Sequence, residues 1–206
     1  MLISAVTAFV RTALPAPPAR VLEIGAGSGE LAATLTDAGY EVVAIDPVAE
    51  SPAVRAVSLL EVEEPAASFD AAVAVVSLHH VEPLGESCRR LAELVRAGGA
   101  LVVDEFDVER FDERAARWLI EQRGPDGHER HGDPRDLVAD LREHLHSLGR
   151  VRGALEEWFA VGEPVRGAYL YRWELPPGLR EPEEQLIASG RLPATGARLV
   201  GRRRES

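Results

Sequence analysis

Residues 21–29 read Val-Leu-Glu-Ile-Gly-Ala-Gly-Ser-Gly, a short apolar run that passes directly into a glycine-rich turn. Apolar residues then recur at helical spacing from Leu31 to Ala38. A second apolar run, residues 41–46, ends in Asp46. This order of strand, turn, helix and strand predicts a βαβ unit, which is the building block of a parallel sheet.

The same alternation continues as far as residue 105. Further strands are predicted at residues 54–60, 69–76 and 100–103, and a helix at residues 84–96. The run 69–76 is almost entirely apolar, as expected of a strand that is buried on both faces. The sequence therefore predicts an α/β fold, a doubly wound and mostly parallel Rossmann-like sheet with helices on both faces.

The pattern of the chain changes after residue 105. The sequence here predicts helices at residues 108–122, 136–148 and 182–188. It also predicts strands at residues 155–161 and 197–202 and a polar loop at residues 124–134. The loop carries His128 and His131, whose spacing suits a metal but which are more typical of an exposed, inert pair. We interpret this half as the rest of the sheet with a helical cap over the strand ends.

The amino-acid composition excludes several classes of enzyme. The 206 residues contain neither lysine nor asparagine, so all 23 basic residues are arginine. Schiff-base enzymes, phosphate-loop NTPases and protein kinases all need a lysine and are therefore excluded. Because Cys88 is the single cysteine, an intrachain disulfide and a multi-cysteine metal site are excluded as well.

The charge of the chain bears on its partners. The formal net charge is −11, and the one dense basic run is Arg202-Arg203-Arg204. Nucleic-acid binders usually carry a basic stripe, so we expect a small-molecule substrate and no nucleic acid. No apolar stretch is long enough to span a membrane, and residues 1–10 are typical of a short amphipathic helix. A soluble, cytoplasmic monomer or homodimer is the expectation.

The glycine turn indicates a nucleoside ligand. In an open α/β sheet the ligand lies beyond the strand ends, and the acid that ends the second strand meets the ribose. Asp46 follows Gly25 by 21 residues, which fits this role. The spacing is G-x-G-x-G, however, and Glu30 stands where a pyrophosphate would dock. Both details favour S-adenosylmethionine, which has no phosphate and carries a sulfonium cation, over a nicotinamide dinucleotide.

Residues 21–29, together with Asp46, resemble the first motifs of class I S-adenosylmethionine-dependent methyltransferases. Ser68-Phe69-Asp70-Ala71-Ala72-Val73, followed by Ser77-Leu78-His79-His80-Val81, is similar to the family's fourth strand and the motif after it. Gly98-Gly99-Ala100-Leu101-Val102-Val103 matches the approach to the fifth strand. The resemblance covers residues 20–105 and implies a seven-stranded sheet whose last strand is antiparallel.

The resemblance also implies the cofactor-binding residues and the division of the chain. S-adenosyl-L-methionine would be the cofactor and S-adenosyl-L-homocysteine the product. Glu23, Gly25, Ala26, Gly27 and Gly29 would flank the methionine part of the cofactor, and Val76 and Ser77 would line the same side. Asp46 would bind the ribose, and Pro47, Leu60 and Glu61 would contact the adenine. The single methyltransferase domain would consist of a helix and linker at 1–19, a cofactor-binding half at 20–105, and the substrate cap with the remaining strands at 106–206.

The catalytic candidates follow from what methyl transfer needs, namely an oriented acceptor, exclusion of water and, for a protonated acceptor, a base. His79 and His80 are the candidate bases because the motif after the fourth strand faces the methyl group in this family. Asp104, Glu105, His146, Tyr169 and Tyr171 are candidate substrate contacts. We predict no metal site, because no spacing around His79, His80 and Glu82 supports a closed set of ligands. The predicted function is methyl transfer to an O, N or C nucleophile of a small molecule. The alternatives are an NAD-dependent oxidoreductase and a non-catalytic S-adenosylmethionine-binding module.

Overall fold

The computed structural model describes residues 2–49, 51–124, 132–173 and 175–205, and no side chains before residue 5. The chain divides into two compact units. The first consists of Met1–Glu105, Gly149–Pro164 and Arg198–Ser206, and the second of Phe106–Leu148 and Val165–Ala197. The division after Glu105 coincides with the predicted end of the cofactor-binding half, whereas two later segments return to the first unit.

Seven strands form one sheet in the order β2-β1-β3-β4-β7-β5, and β6 pairs with β7. Their bounds are β1 Arg20–Ile24, β2 Glu41–Ile45, β3 Phe69–Val75, β4 Val95–Phe106, β5 Phe159–Val161, β6 Val165–Gly167 and β7 Gly196–Arg203. The pairs β1–β2, β1–β3 and β3–β4 are parallel, with Val21 opposite both Val42 and Ala71. β5 and β7 are antiparallel. The predicted mostly parallel, seven-stranded sheet is therefore confirmed.

Helices lie on both faces of the sheet, and the described residues form seven α-helices. They are α1 Leu2–Ala13, α2 Glu30–Asp37, α3 Leu84–Leu94, α4 Glu113–Gln122, α5 Pro134–His144, α6 Leu148–Glu156 and α7 Arg180–Ala188. On one face, Val10 of α1 and Leu35 of α2 share a buried cluster with Val21, Val73 and Val102 of the sheet. Because strand residues alternate between faces, their neighbours along β1, β3 and β4 are buried against the opposite layer.

The third predicted strand is not a strand. Residues 54–60 contribute one isolated parallel bridge, between Arg55 and Ile45, and the chain then turns into a 3₁₀ helix at Leu59–Glu61. Ser58 and Glu61 cap this helix reciprocally. The capping bonds satisfy backbone groups within the segment, which therefore does not require a row of strand-pairing hydrogen bonds to β2.

Several other element bounds also differ from the predictions. The predicted helix 108–122 is a 3₁₀ turn at Val108–Arg110 followed by α4, because the Asp112 side chain accepts the amide hydrogens of Arg114 and Ala115 and starts a new helix there. The predicted helix 136–148 ends at His144, and most of the predicted strand 155–161 belongs to α6 and the turn after it. Residues 125–131, with His128 and His131, lie outside the described residues.

The second unit has its own buried core. The rings of Phe106, Phe111, Tyr169 and Trp173 pack with centroids 4.8–5.9 Å apart. Glu183 of α7 is fully buried, and its carboxylate accepts the backbone amide hydrogens of Tyr169, Leu170 and Tyr171 at 2.8–2.9 Å. Burial is the main effect on this carboxyl and raises its pKa, while the three amides oppose the shift. One carboxylate therefore fixes the turn at Leu170–Arg172.

Within the described ranges, no helix is long and apolar enough to cross a membrane.

Replacing Glu183 tests the role of this carboxylate. Glu183→Ala leaves three buried amides without their acceptor, and we expect a loss of roughly 3 kcal/mol or more in the free energy of unfolding. The matched control is Glu184→Ala, which removes an exposed ion pair with Arg180 and should cost less than about 1 kcal/mol. Urea unfolding at pH 7 measures both values. Equal stability of the two variants would contradict the assignment.

Candidate functional site

A cavity of about 490 Å³ opens in the first unit, where β1, β2 and β3 end. It is formed by the residues that follow these strands, by the segment before the 3₁₀ helix Leu59–Glu61 and by the start of α3. The lining residues are Ile24, Gly25, Ile45, Asp46, Pro47, Val48, Val57, Ser58, Leu59, Val76, Ser77, His80, Val81, Glu82 and Ser87. The carboxyl ends of parallel strands meet at this edge, which is where open α/β sheets bind their ligands.

The glycine turn forms part of the floor of this cavity. Gly25, Gly27 and Gly29 have φ angles of 68°, 51° and 81°, in the left-handed region that side chains disfavour. A Cβ atom on Gly25 would lie only 2.3 Å from the Cβ of Ser77. At Gly27, by contrast, a Cβ would meet no atom within 4 Å. Gly25 is thus required by close contact, and Gly27 leaves the outer side of the turn open.

The carboxylate of Asp46 is held by two backbone amides. Oδ2 accepts from the amide of Gly27 and Oδ1 from that of Val48, both at 2.9 Å. Asp46 also lines a second hollow of about 420 Å³, together with Gly27, Ser28, Val48 and Ser51. The carboxylate therefore stands between two hollows in a fixed orientation, and its oxygens have further lone pairs for hydroxyl donors.

Leu60 and Glu61, predicted to contact the adenine, are outside the lining of the cavity. The Glu61 carboxylate accepts from the amide of Ser58 at 2.8 Å and from its hydroxyl at 2.7 Å, and these bonds lower the pKa of Glu61. Val57, Ser58 and Leu59 line the cavity instead. The spacing of Ser58 and Glu61 is that of a capping box, and this signal would have indicated a turn here.

The two adjacent histidines have different surroundings. Residues 78–80 form a 3₁₀ helix, in which successive side chains point in different directions. His80 is exposed and lines the cavity, whereas His79 is 5% exposed and bonded through Nδ1 to Oε2 of Glu105. Their ring centroids are 4.2 Å apart.

Glu105 is the last but one residue of β4 and contacts the segment that follows β3. Its Oε1 accepts the amide hydrogens of Ser77 at 3.0 Å and Leu78 at 2.7 Å, in addition to the bond between Oε2 and His79. The Ser77 hydroxyl in turn donates to the carbonyl of Ile24 at 2.9 Å. Glu105 was predicted as a substrate contact, and the structure brings it together with the candidate base His79.

Asp104 points to the other face of the sheet, as alternation along a strand requires. It is 2% exposed, and its carboxylate accepts from Nε of Arg198 at 2.9 Å. The Arg198 guanidinium lies 4.8 Å from the ring centre of Phe9. This pairing gives Asp104 a structural partner on the face covered by α1.

Glu23 is a buried carboxyl of a different kind. It is 3% exposed, and none of the described residues supplies a hydrogen bond to its Oε2. Burial raises its pKa to about 7, because the charged form is poorly solvated there. A cation placed beside it would stabilise the ionised form.

Val76 lines the cavity in a strained backbone conformation. Its φ of 55° is rare for a β-branched residue, and its amide donates to the carbonyl of Asp104 at 2.8 Å. Such conformations cost about 1–3 kcal/mol and concentrate at functional sites.

The remaining candidates belong to the second unit. His146 is 8% and Tyr169 1% exposed, and Tyr171 is half-buried. Tyr169 packs in the four-ring cluster, and the guanidinium of Arg172 lies 5.0 Å from its ring centre. The cavity of the first unit is formed without these three residues. Among the described side chains, no group of three or more His, Cys, Asp and Glu residues could hold a metal ion.

Comparisons with known proteins agree with this architecture. A family model described as a methyltransferase domain matches residues 2–147. An uncharacterized methyltransferase of Mycobacterium tuberculosis is 36% identical over 98 residues, which are 43% of this chain and 40% of that protein. A ubiquinone biosynthesis O-methyltransferase of Rhodopseudomonas palustris is 28% identical over 76% of this chain and 65% of its own length. The chain thus spans between two fifths and two thirds of these relatives.

The fold is shared with a solved structure over its whole length. The crystal structure of a Listeria monocytogenes protein, described as a putative S-adenosylmethionine-dependent methyltransferase, has a TM-score of 0.63 at 15% identity and covers 100% of both chains. Since the family match covers well over half of the chain, this protein belongs to the methyltransferase-domain family.

Proposed function

We propose that this protein transfers a methyl group from S-adenosylmethionine to a small-molecule acceptor. The observation that carries the proposal is the Asp46 carboxylate, which two backbone amides fix at the edge of a cavity beyond the ends of three parallel strands. A carboxylate at the end of the second strand, directed at a nucleoside pocket, is suited to two ribose hydroxyls. The family match supports the same activity.

The walls of the cavity fit the rest of an adenosine. Pro47 and Val48 present apolar surface after β2, and Val48 is 82% exposed. Across the cavity, Ser58 and Leu59 would meet the adenine edge in place of the predicted Leu60 and Glu61. Ser58 and Leu59, at the start of the 3₁₀ helix, are therefore the proposed adenine contacts.

The methionine part of the cofactor fits the glycine turn and Glu23. Gly25, Ala26, Gly27 and Gly29 supply backbone with little or no side chain, and Val76 and Ser77 line the cavity beside the turn. Glu23 offers a buried carboxylate oxygen with no hydrogen bond from the described residues, at the end of β1. The ammonium or sulfonium cation of the ligand would supply a positively charged partner for this carboxylate.

When bound, S-adenosylmethionine supplies a methyl group on a cationic sulfur that leaves as a neutral thioether. The chain's own residues then have to orient the acceptor, exclude water and remove a proton where the acceptor carries one. His79 and His80 remain the proposed bases, and His146 and Tyr171 remain proposed substrate contacts. Glu105 is buried with both oxygens bonded inside the protein, which argues against a direct contact between Glu105 and the substrate. Asp104 and Tyr169 make structural contacts, which argues against a role for them in substrate binding.

The acceptor is proposed to be small. The net charge of −11 disfavours a polyanionic substrate such as a nucleic acid. The name of the Rhodopseudomonas relative describes methylation at oxygen in the biosynthesis of a small molecule. Oxygen, nitrogen and carbon acceptors are all compatible with the proposal.

Titration with S-adenosylhomocysteine tests the nucleoside site. We expect Asp46→Ala to weaken binding at least about tenfold, because hydrogen bonds to a charged group contribute roughly 1.5–3 kcal/mol. Asp37→Ala, at an exposed helix end, is the matched control and should bind like the wild type. Isothermal calorimetry measures both affinities.

Three outcomes would contradict the proposal. Unchanged affinity in Asp46→Ala would remove the ribose assignment. Tight binding of NADH by the wild type without binding of S-adenosylhomocysteine would favour an oxidoreductase. Binding without methyl transfer to any member of a broad acceptor panel would favour a non-catalytic module.

The raised pKa of Glu23 predicts a pH dependence of binding. Below about pH 7 the free protein holds a proton on Glu23, and a ligand whose ammonium group lies beside Glu23 has to displace that proton. Affinity for S-adenosylhomocysteine should therefore rise between pH 6 and pH 8, by up to about tenfold per pH unit below the pKa. Glu23→Gln should abolish the rise, and Glu30→Gln, at an exposed position, should preserve it. A flat profile in the wild type would show that Glu23 does not meet the ammonium group, which is the cation that S-adenosylhomocysteine carries.

A further inference from the structure

One buried carboxylate serves both the candidate base and the wall of the cofactor cavity. Glu105 is 1% exposed, and its two oxygens have separate tasks. Oε1 accepts from the amides of Ser77 and Leu78, and Oε2 bonds to Nδ1 of His79. A carboxylate that already accepts two amide hydrogens can accept a third hydrogen, from a ring N–H, but cannot donate one.

An ionised Glu105, which can only accept hydrogen bonds, sets the tautomer of His79. With the ring proton on Nδ1 and directed at Glu105, Nε2 carries the lone pair and can take up a proton. The imidazolium that results would be balanced by the carboxylate beside it, as in other carboxylate–histidine pairs. His80, in contrast, lines the cavity with Pro47 and Ser58, where it would meet the nucleoside.

We propose that Glu105 is a positioning residue that holds His79 as the proton acceptor, and that the acceptor substrate is therefore a hydroxyl compound. This inference rests on the proposed methyl transfer. A hydroxyl group keeps its proton at neutral pH and gains from a base when it attacks, whereas a neutral amine attacks without prior loss of a proton. A histidine base held in place by a carboxylate is thus better suited to an oxygen nucleophile.

The step balances in atoms and charge. The hydroxyl oxygen forms a bond to the methyl carbon while the carbon–sulfur bond breaks, and the electron pair of that bond remains on sulfur. The hydroxyl proton passes to Nε2 of His79. The positive charge of the sulfonium is thereby replaced by that of an imidazolium facing the Glu105 carboxylate.

The same carboxylate links the base to the cofactor cavity. The Ser77 hydroxyl bonds to the Ile24 carbonyl, and a Cβ on Gly25 would clash with the Ser77 side chain. Ser77 is therefore fixed between Glu105 and the glycine turn. A variant that tests the base has to preserve the bonds of Oε1, otherwise loss of binding would obscure the result.

Glu105→Gln meets this requirement. The amide oxygen of glutamine can accept from Ser77 and Leu78, while its NH₂ group donates to Nδ1 of His79 and forces the ring proton onto Nε2. We expect S-adenosylhomocysteine affinity within about threefold of the wild type, a kcat lowered about 100-fold or more toward hydroxyl acceptors, and a nearly unchanged acceptor KM. His79→Gln should lower kcat similarly, whereas His80→Gln should act on cofactor affinity. Glu86→Gln, at an exposed position on α3, is the control for a lost charge.

Nitrogen-15 NMR of histidine-labelled protein gives a readout without turnover. At pH 8.5, His79 of the wild type with S-adenosylhomocysteine should be the Nδ1–H tautomer, and in Glu105→Gln the Nε2–H tautomer. The signal is assigned by its absence in His79→Gln. An Nε2–H tautomer or a doubly protonated ring in the wild type would overturn the inference, even if Glu105→Gln failed to fold.

The kinetic results separate this inference from the function beneath it. If the wild type methylates a member of the acceptor panel and Glu105→Gln does so at the same rate, the positioning role is wrong and methyl transfer stands. Methylation confined to amines would overturn the hydroxyl assignment alone. If the wild type fails to bind S-adenosylhomocysteine, the proposed function itself is wrong.

Discussion

The bonds of the Glu105 carboxylate hold the site in place. Through Ser77 and Leu78 it fixes the segment after β3, and through the Ser77 hydroxyl it connects that segment to the end of β1. Strand ends are where a parallel sheet exposes its backbone, so their loops need such ties to keep a defined geometry. Because the carboxylate is buried, each of these hydrogen bonds is stronger than it would be in water.

The sequence predicted the parts of the molecule that depend on local spacing. The glycine turn and Asp46 could be recognised because a strand, a tight turn and a helix fix their separation along the chain. The mostly parallel sheet followed from the apolar run 69–76, since a strand buried on both faces has no polar side. These features need no knowledge of distant contacts.

The features that escaped prediction depend on such contacts or on competing local bonds. Residues 54–60 were predicted as a strand, but Ser58 and Glu61 form a capping box and the chain enters a 3₁₀ helix at Leu59. The different surroundings of His79 and His80 depend on Glu105, which lies 26 positions along the chain from His79. The sequence likewise gives no sign that Oε2 of Glu23 is buried or that the Glu183 carboxylate accepts backbone amides. Each feature depends on the residues that surround the carboxyl group.

The close contact between Gly25 and Ser77 has a consequence for how these two positions can be altered. A Cβ added at position 25 would lie only 2.3 Å from the Cβ at position 77, so a side chain can occupy one of these positions but not both. Alanine at position 25 would collide with Ser77 and would also have to adopt a φ of 68°, which side chains disfavour. Glycine at position 77 would relieve only the collision, and it would remove the hydroxyl bonded to Ile24.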